Sequence, residues 1–488
     1  MVIFAIVSSV FFSDAIKDSS LYTFGWVFHI ISYVVLALAM VLCFRKQFAI
    51  ERVFLLIAIP LGLLYMFLLT PFSIPDEYYH YQTSYELSNR LMLKTGEWTD
   101  MGISTHFDYS HFPQHTNNSE GYERVLNEIL EKAPEGYPVK IPSHRSLVYF
   151  VLQLPQAIGI TIGRVFKANF IIIFYLGRLM NLMAYICCAY WAIKAVPDRK
   201  GLFFLIGIMP MSLHQAASYS YDCMTIALTL LTTALYLRAV NRKPLIQWKE
   251  YLLLIIAGTL MAPAKAGFAP LIFLVFLIPA SRFSTAKKRW TMICSLLGAA
   301  LAALALVWIP AMKAGKAVID WGFECYSPSF LFHHPLSTIK IFIYTIKTYW
   351  FSWLTMAIGS KMSGLSLTLP EYLIIGYLFL LVFAALGTTK EQELYPITGT
   401  QKLTYVAVFG ICMILIMGAL FFTWTKPGSK EISGIQGRYF IPIIPLLLIS
   451  LKNKYIAFKE TKDKAFILAA VFLHVNLLNN IITFTLNR

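Results

Sequence analysis

Charge is scarce in this chain. Only 14% of its 488 residues are charged and 58% are hydrophobic, whereas a soluble globular domain carries about 25% charge. A mean hydropathy of +0.64 agrees that lipid, rather than water, is the main solvent. Acid is scarcer than base, with 25 Asp and Glu against 41 Lys and Arg. The resulting +16 does not mark a nucleic-acid binder, because the basic residues sit in short loops between apolar runs and form no stripe with stacking aromatics. Paired cysteines are also lacking. The seven Cys fall mostly inside apolar runs with no paired spacing, which excludes a disulfide framework and a zinc motif. No repeat, low-complexity linker or soluble domain is visible. Met1–Phe12 is apolar but has neither a basic leader nor a cleavage site, so it reads as half of a hydrophobic hairpin over residues 1–49.

Long apolar runs are abundant. A membrane crossing takes roughly 20 residues, and Leu21–Phe44, Val53–Phe72, Phe170–Ile193, Trp290–Pro310, Tyr372–Leu386, Leu403–Trp424 and Phe466–Phe484 qualify. Residues 201–281 fit four shorter crossings. The expected fold is all-α, one polytopic unit over 1–488 with about 12 transmembrane helices, a range of 11–13. The basic clusters Arg45/Lys46/Arg52, Lys194/Arg199/Lys200, Arg238–Lys249, Arg282–Arg289 and Lys452–Lys464 all lie on the cytoplasmic side if Leu147–Val165 and Ile339–Ile358 do not cross. Those two stretches, interrupted by Gln153, Pro155, Gln156, Lys347 and Ser352, read as helices on or dipping into the outer face. Four polar segments are then outside: 73–145 with juxtamembrane helices, 218–222, 311–370 and 425–439.

Chemistry-bearing residues concentrate in those segments. Ser73-Ile74-Pro75-Asp76-Glu77-Tyr78-Tyr79-His80-Tyr81 follows an outward helix end. Asp76 and Glu77 in a first helical turn also suit capping. At a membrane surface, partial desolvation favours a carboxylate as general base, and Asp76 and His80 at i,i+4 share a face. Asp222, ending Ser218-Tyr219-Ser220-Tyr221-Asp222, is either an N-cap or a wall of the same cavity. Lys265, between two apolar helices in Ala262–Gly267, either snorkels or binds an anion. Arg438, in Gly434-Ile435-Gln436-Gly437-Arg438-Tyr439-Phe440-Ile441-Pro442, can reach a phosphate bidentately or pair with an acid of the large loop. Arg178 and Asn181 inside an apolar run are site candidates or helix–helix hydrogen-bond partners. The loop histidines 106, 111 and 115 fit no ligand motif, and Asn117-Asn118-Ser119 matches a glycosylation sequon.

An outward acidic pair in the first large loop, juxtamembrane helices after it and an Asp after the third core span resemble the GT-C superfamily of integral-membrane glycosyltransferases. More narrowly, Pro75-Asp76-Glu77 with His80, Ser218-x-Ser220-x-Asp222, Ala264-Lys265 with Gly267, and Gln436-Gly437-Arg438-Tyr439-Phe440 with Pro442 resemble a bacterial predicted-membrane-protein family, long of unknown function, that is grouped with those enzymes. The likeness runs from about residue 50 to 450. It implies a GT-C-like fold in the bacterial cytoplasmic membrane and a lipid-linked donor, typically a polyprenyl-phosphate monosaccharide. The acceptor is a cell-envelope glycan or lipid-linked. Catalytic acids would be Asp76 and Glu77, the donor phosphate would lie on Arg438 and Lys265, and His80, Asp222, Gln436, Tyr439 and Arg178 would line the site. Asp76, Glu77 and Asp222 could hold Mg2+ or Mn2+. Many GT-C relatives carry a C-terminal soluble domain; here an apolar run ends at Arg488, so membrane-facing loops are expected to bind the acceptor. A transporter or lipid flippase is the rival reading. It calls for broken helices at matching positions of two halves, and the sequence shows no such symmetry.

Overall fold

A computed structural model of the chain describes residues 2–44, 48–94, 98–100, 117–129, 138–140, 149–314, 324–386, 397–453, 455–456 and 463–487. Among these, seven helices are long and apolar enough to cross a membrane: Tyr22–Cys43, Ile50–Leu68, Phe170–Ala195, Asp222–Asn241, Ala286–Val307, Gly399–Trp424 and Asp463–Leu486. The remaining apolar helices are shorter. Glu371–Leu386 has 16 residues, about 24 Å at 1.5 Å per residue. The 201–281 region contains Lys200–Gly207, Pro210–Ala216, Asp222–Asn241, Trp248–Met261 and a 3-10 stretch Ala266–Leu277. Pro210 starts its helix after a break at Ile208–Met209, as expected of a residue that donates no backbone hydrogen bond.

The two stretches set aside as non-crossing are both helical. Phe150–Val165 has 16 residues and Pro335–Ile358 has 24; neither is among the seven. The first lies against Phe170–Ala195 at close range. A Cβ on Gly159 would meet the Leu176 carbonyl, and one on Gly163 would come 2.8 Å from Ile173. The other face of that helix covers Glu77–Leu91, where Arg164 donates to Ser88 Oγ (2.8 Å) and Asn89 Oδ1 (2.8 Å). Sheet among the described residues is confined to two antiparallel pairs, Trp98–Asp100 with Pro138–Lys140 and Lys361–Met362 with Leu367–Thr368.

Burial separates centre from rim. Asp222–Asn241 has 83% of its apolar window buried within the protein, whereas Ala286–Val307 has 22% and Gly399–Trp424 has 28%. The rim helices turn Leu301, Leu306, Leu403 and Ile414 outward, the pattern of helices solvated by lipid. Val2–Ile16 and Tyr22–Phe44 pack with Asp463–Leu486; His29 joins Ser9 Oγ (2.9 Å) and Asn479 Oδ1 (3.0 Å).

The two ends of the bundle differ in their charges. At one end lie the ion pairs Lys200–Glu51 (3.0 Å) and Lys452–Asp198 (3.2 Å). At the other end are the start of Phe170–Ala195, the end of Ile50–Leu68 and the turn before Asp222. Asn117 is buried at this second end. It accepts from Thr70 N (2.9 Å) and donates to Leu68 O (2.8 Å), so the sequon asparagine is a packing residue and not an open glycan acceptor. His106, His111, His115, His144 and Asp320 lie outside the described residues.

Candidate functional site

The acidic pair is divided by its backbone. Asp76 adopts a left-handed conformation (φ 61°) at the start of helix Glu77–Leu91, and its side chain makes no capping hydrogen bond. Its carboxylate is exposed. Asp is one of the residues that tolerate this region, though the conformation still costs energy and often accompanies function. Glu77, one residue on, is 1% exposed. It receives Arg178 Nε at Oε1 (3.0 Å) and Arg178 Nη2 at Oε2 (2.7 Å), and Tyr219 N donates to Oε1 as well (3.1 Å).

Arg178 is itself enclosed. Besides Glu77 it donates to the carbonyls of Met66 (3.2 Å), Leu69 and Thr70 (3.0 Å), the orphan acceptors at the end of helix Ile50–Leu68. This one side chain ties a helix end, the first polar loop and the turn before Asp222. The placement corrects two expectations. Glu77 is not an open carboxylate, since both oxygens are occupied by a buried guanidinium, and Arg178 braces the site from behind without lining its open part.

The turn Ser218–Asp222 explains its own spacing. Ser218 Oγ accepts from Ser220 N (3.1 Å) and Ser220 Oγ accepts from Asp222 N (3.2 Å). Each hydroxyl satisfies the amide two residues on, a local arrangement that serines favour. Asn181 Nδ2 donates to Ser218 O (2.7 Å), so this buried polar residue makes its short bond to a turn and not to the neighbouring helix expected for it.

Asp222 is held between two cations. Lys265 Nζ donates to Oδ1 at 2.6 Å, and Arg438 Nε lies 3.0 Å from Oδ2 in an ion pair off the hydrogen-bond line. Lys265 also stands over the rings of Tyr221 (4.9 Å) and Tyr439 (4.4 Å), and Arg438 over Tyr439 (5.4 Å). Tyr221 in turn stacks on Tyr149 (4.8 Å) and meets the His80 ring edge-on (4.7 Å). Burial pushes the His80 imidazole down to about 4; Asp76 and Asp222 oppose that, and Arg438 and Lys265 add to it. His80 is therefore neutral at pH 7, and of these charged and titratable groups only the Asp76 carboxylate is both exposed and without a hydrogen-bond partner among the described residues.

Asp76, His80, Asp222, Lys265, Gln436, Arg438 and Tyr439 thus meet at one end of the bundle, drawn from four separate segments. Gly437 makes this possible. A Cβ there would overlap the Trp353 carbonyl and the Ala357 amide of helix Pro335–Ile358, so the strand of chain bearing Arg438 lies directly on that helix. Asp76, Glu77 and Asp222, the carboxylates that could have held a metal, do not form an open set. Glu77 is consumed by Arg178 and Asp222 by Lys265 and Arg438, and no group of three His, Cys, Asp or Glu suited to a metal exists among the described residues. Tyr149, His214, Gln215, Lys361 and Ser363 also border the site but were not anticipated. His214 and Gln215 sit within the apolar run 201–217, where an adjacent polar pair was a usable signal.

The family model described as "Predicted membrane protein (DUF2142)" matches residues 59–447, most of the chain and every motif from Pro75 to Pro442. The chain belongs to this family. No curated protein and no solved structure matches it significantly. Family membership and the seven apolar helices together establish an all-α membrane protein; the family description assigns no reaction.

Proposed function

We propose that this protein is a GT-C-like glycosyltransferase with about 12 spans. It would move a monosaccharide from a polyprenyl-phosphate donor to a cell-envelope glycan or lipid-linked acceptor on the outer face of the bacterial cytoplasmic membrane. The observation that carries the reading is the state of Asp76: an exposed carboxylate without a partner, facing a neutral His80 and the cations around Asp222. The orientation rests on the bundle end opposite the Lys200 and Lys452 ion pairs being the outer one.

In this reading Asp76 accepts the proton of an acceptor hydroxyl as that oxygen attacks the anomeric carbon with inversion. The C–O bond to the lipid phosphate breaks, and the phosphate leaves with the electron pair. Arg438, with Lys265 behind it, stabilises the charge that develops there. Asp222 holds both cations in place, and Tyr149, Tyr221 and Tyr439 form an aromatic wall suited to a sugar face.

The test is release of labelled polyprenyl phosphate from radiolabelled polyprenyl-phosphate sugars by purified wild type and Asp76→Asn. Equal rates in the two proteins would remove Asp76 as base. Absence of transfer across a panel of donors and acceptors, with flux of lipid-linked saccharide in proteoliposomes that Asp76→Asn leaves unchanged, would replace the transferase by a flippase.

A further inference from the structure

A cleft of about 660 Å3 opens between the start of helix Glu371–Leu386 and the end of helix Asp463–Leu486. It lies at the same end of the bundle as the Asp222 turn, because Asn117, buried there, donates through Nδ2 to Thr485 Oγ1 (2.9 Å). Small-molecule sites run from about 300 to 1,000 Å3, and the cleft falls in that range. Thr368 and Glu371 form one side. Asn480, Thr483, Phe484 and Asn487 form the other. None of these residues belongs to the group around Asp76.

The last four recur at i, i+3, i+4 and i+7, which places them on one face of a helix. That helix is otherwise an apolar span. A polar side chain in a span usually bonds a neighbouring helix or serves a function. Asn479 takes the first course and bonds His29 (3.0 Å). The cleft face does not. Asn480 Nδ2 donates only to Asn476 O of its own helix (2.8 Å). Its Oδ1, the Thr483 hydroxyl, the Asn487 amide and the Glu371 carboxylate have no side-chain partner among the described residues. Thr485, two residues beyond Thr483, does donate within its helix, to Ile481 O (2.7 Å). Unbonded amides and hydroxyls are therefore gathered on the side that lines the cleft.

We infer that this cleft binds a neutral saccharide, as a second ligand site apart from the one that holds Asp76. Carboxamides both donate to and accept from sugar hydroxyls, and a carboxylate accepts from them. The Phe484 ring adds an apolar surface for the C–H face of a pyranose. No basic residue borders the cleft among the described residues, so a phosphate or other anion would meet Glu371 with nothing to neutralise it. No second acid stands beside Glu371 to share a divalent cation. The cleft is tied to the segment that presents Asp76. Thr368 pairs directly with Lys361 in the hairpin Lys361–Thr368, and Ser363 of that hairpin donates through Oγ to Ser73 O (2.7 Å). The inference does not depend on the transfer reaction, since a hold on a glycan serves a transferase, a flippase or a scaffold alike.

The experiment applies the full chain, in a detergent without a sugar headgroup, to an array of neutral and sulfated oligosaccharides. A retained neutral trisaccharide is then titrated into wild type, Asn480→Leu, Asn487→Ala, Glu371→Gln and the control Asn476→Ala, a position that does not border the cleft. Neutral sugars are expected to be retained and sulfated ones rejected. Loss of one hydrogen bond is expected to weaken Kd about three- to tenfold in Asn480→Leu and Asn487→Ala, with the control unchanged. Glu371→Gln is expected to admit the sulfated sugars. Glu371 and Asn487 are exposed, so their variants fold even if Asn480→Leu does not. Retention of no neutral sugar, or a trisaccharide whose Kd no cleft variant changes, overturns the site. Binding of phosphoethanolamine in place of sugar, lost in Glu371→Gln, reassigns the cleft to a lipid headgroup and overturns it as well. Saccharide binding with the expected sensitivities in a protein that transfers no sugar keeps the cleft and sinks the transferase. Sugar transfer by a protein whose cleft variants all bind like wild type does the reverse.

Discussion

Glu77 and Arg178 form a two-pronged, fully buried ion pair, 3.0 Å and 2.7 Å across, between residues 101 positions apart. Removing one partner leaves the other charge in a dry interior, which costs about 3–5 kcal/mol. Arg178→Met is expected to unfold early in detergent, measured by thermal melting. Arg178→Met with Glu77→Leu should recover part of the loss, because the stranded charge is gone. A single Arg178→Met that melts with wild type would show that the pair does not brace the fold.

Asp76→Asn separates chemistry from folding. Asn is as tolerant of the left-handed backbone as Asp, and the exposed carboxylate holds no structural partner. Melting should stay within about 1 °C of wild type, since the substitution touches none of the mechanisms that destabilise strongly. Turnover should fall about 10²–10⁴-fold, the usual worth of a general base. A drop in melting temperature matching that of Arg178→Met would assign Asp76 a structural role.

Asp222 neutralises two cations at once, so Asp222→Asn should cost both stability and activity. The added substitution Lys265→Met should restore much of the melting temperature, because the neutral amide then faces a single cation. Activity should remain low in the double variant if Asp222 positions Arg438. Turnover measured beside melting distinguishes the two effects.

His80 makes a pH prediction. Its ionisation lies at about 4 in the folded protein, below the ordinary value of about 6.5. The unfolded chain therefore takes up this proton first as the medium is acidified. Stability is unaffected by His80 above about pH 6.5 and is lost progressively as pH falls from there toward 4. His80→Gln should flatten that acid limb of a melting-versus-pH curve. An unchanged limb would mean that His80 is accessible to protons in the folded state.

Gly437→Ala would push a methyl group into the Trp353 and Ala357 backbone. Overpacking of this kind costs about 1–3 kcal/mol. The shift should also misplace Arg438, lowering turnover more than melting temperature alone accounts for.

Much of the site was legible because its residues break an apolar pattern. Lys265 and Arg438 stand out at helix ends, and the serines of Ser218–Asp222 carry their own local hydrogen bonds. The Pro75-Asp76-Glu77 motif was less transparent. Two adjacent carboxylates read as one acidic pair, and only the left-handed turn at Asp76 sends one outward and the other in. Arg178 was visible as a polar residue in an apolar run, but its partner is set by tertiary packing that a linear pattern does not contain. His214 and Gln215 were passed over for the same reason: their role depends on Ser363, 149 positions from His214. The spans were legible where hydropathy is unbroken. Ala266–Leu277 was not, because nothing in its apolar run signals a 12-residue 3-10 stretch, a geometry that chains use mostly in short pieces.

The two cations that share Asp222 reach it at different times during synthesis. Lys265 follows 43 residues later, and Arg438 belongs to a segment 216 residues beyond Asp222. At about 5–20 residues per second, the nascent chain spends roughly 9–35 s with the acid facing Lys265 alone. During that interval the face of the most enclosed helix that later meets Gly437–Ile443 is open. The site is therefore an assembly product, closed when the segment around Gly437 settles against Pro335–Ile358. Substitutions along that late contact would be read in vivo as slow maturation before they are read as weak catalysis.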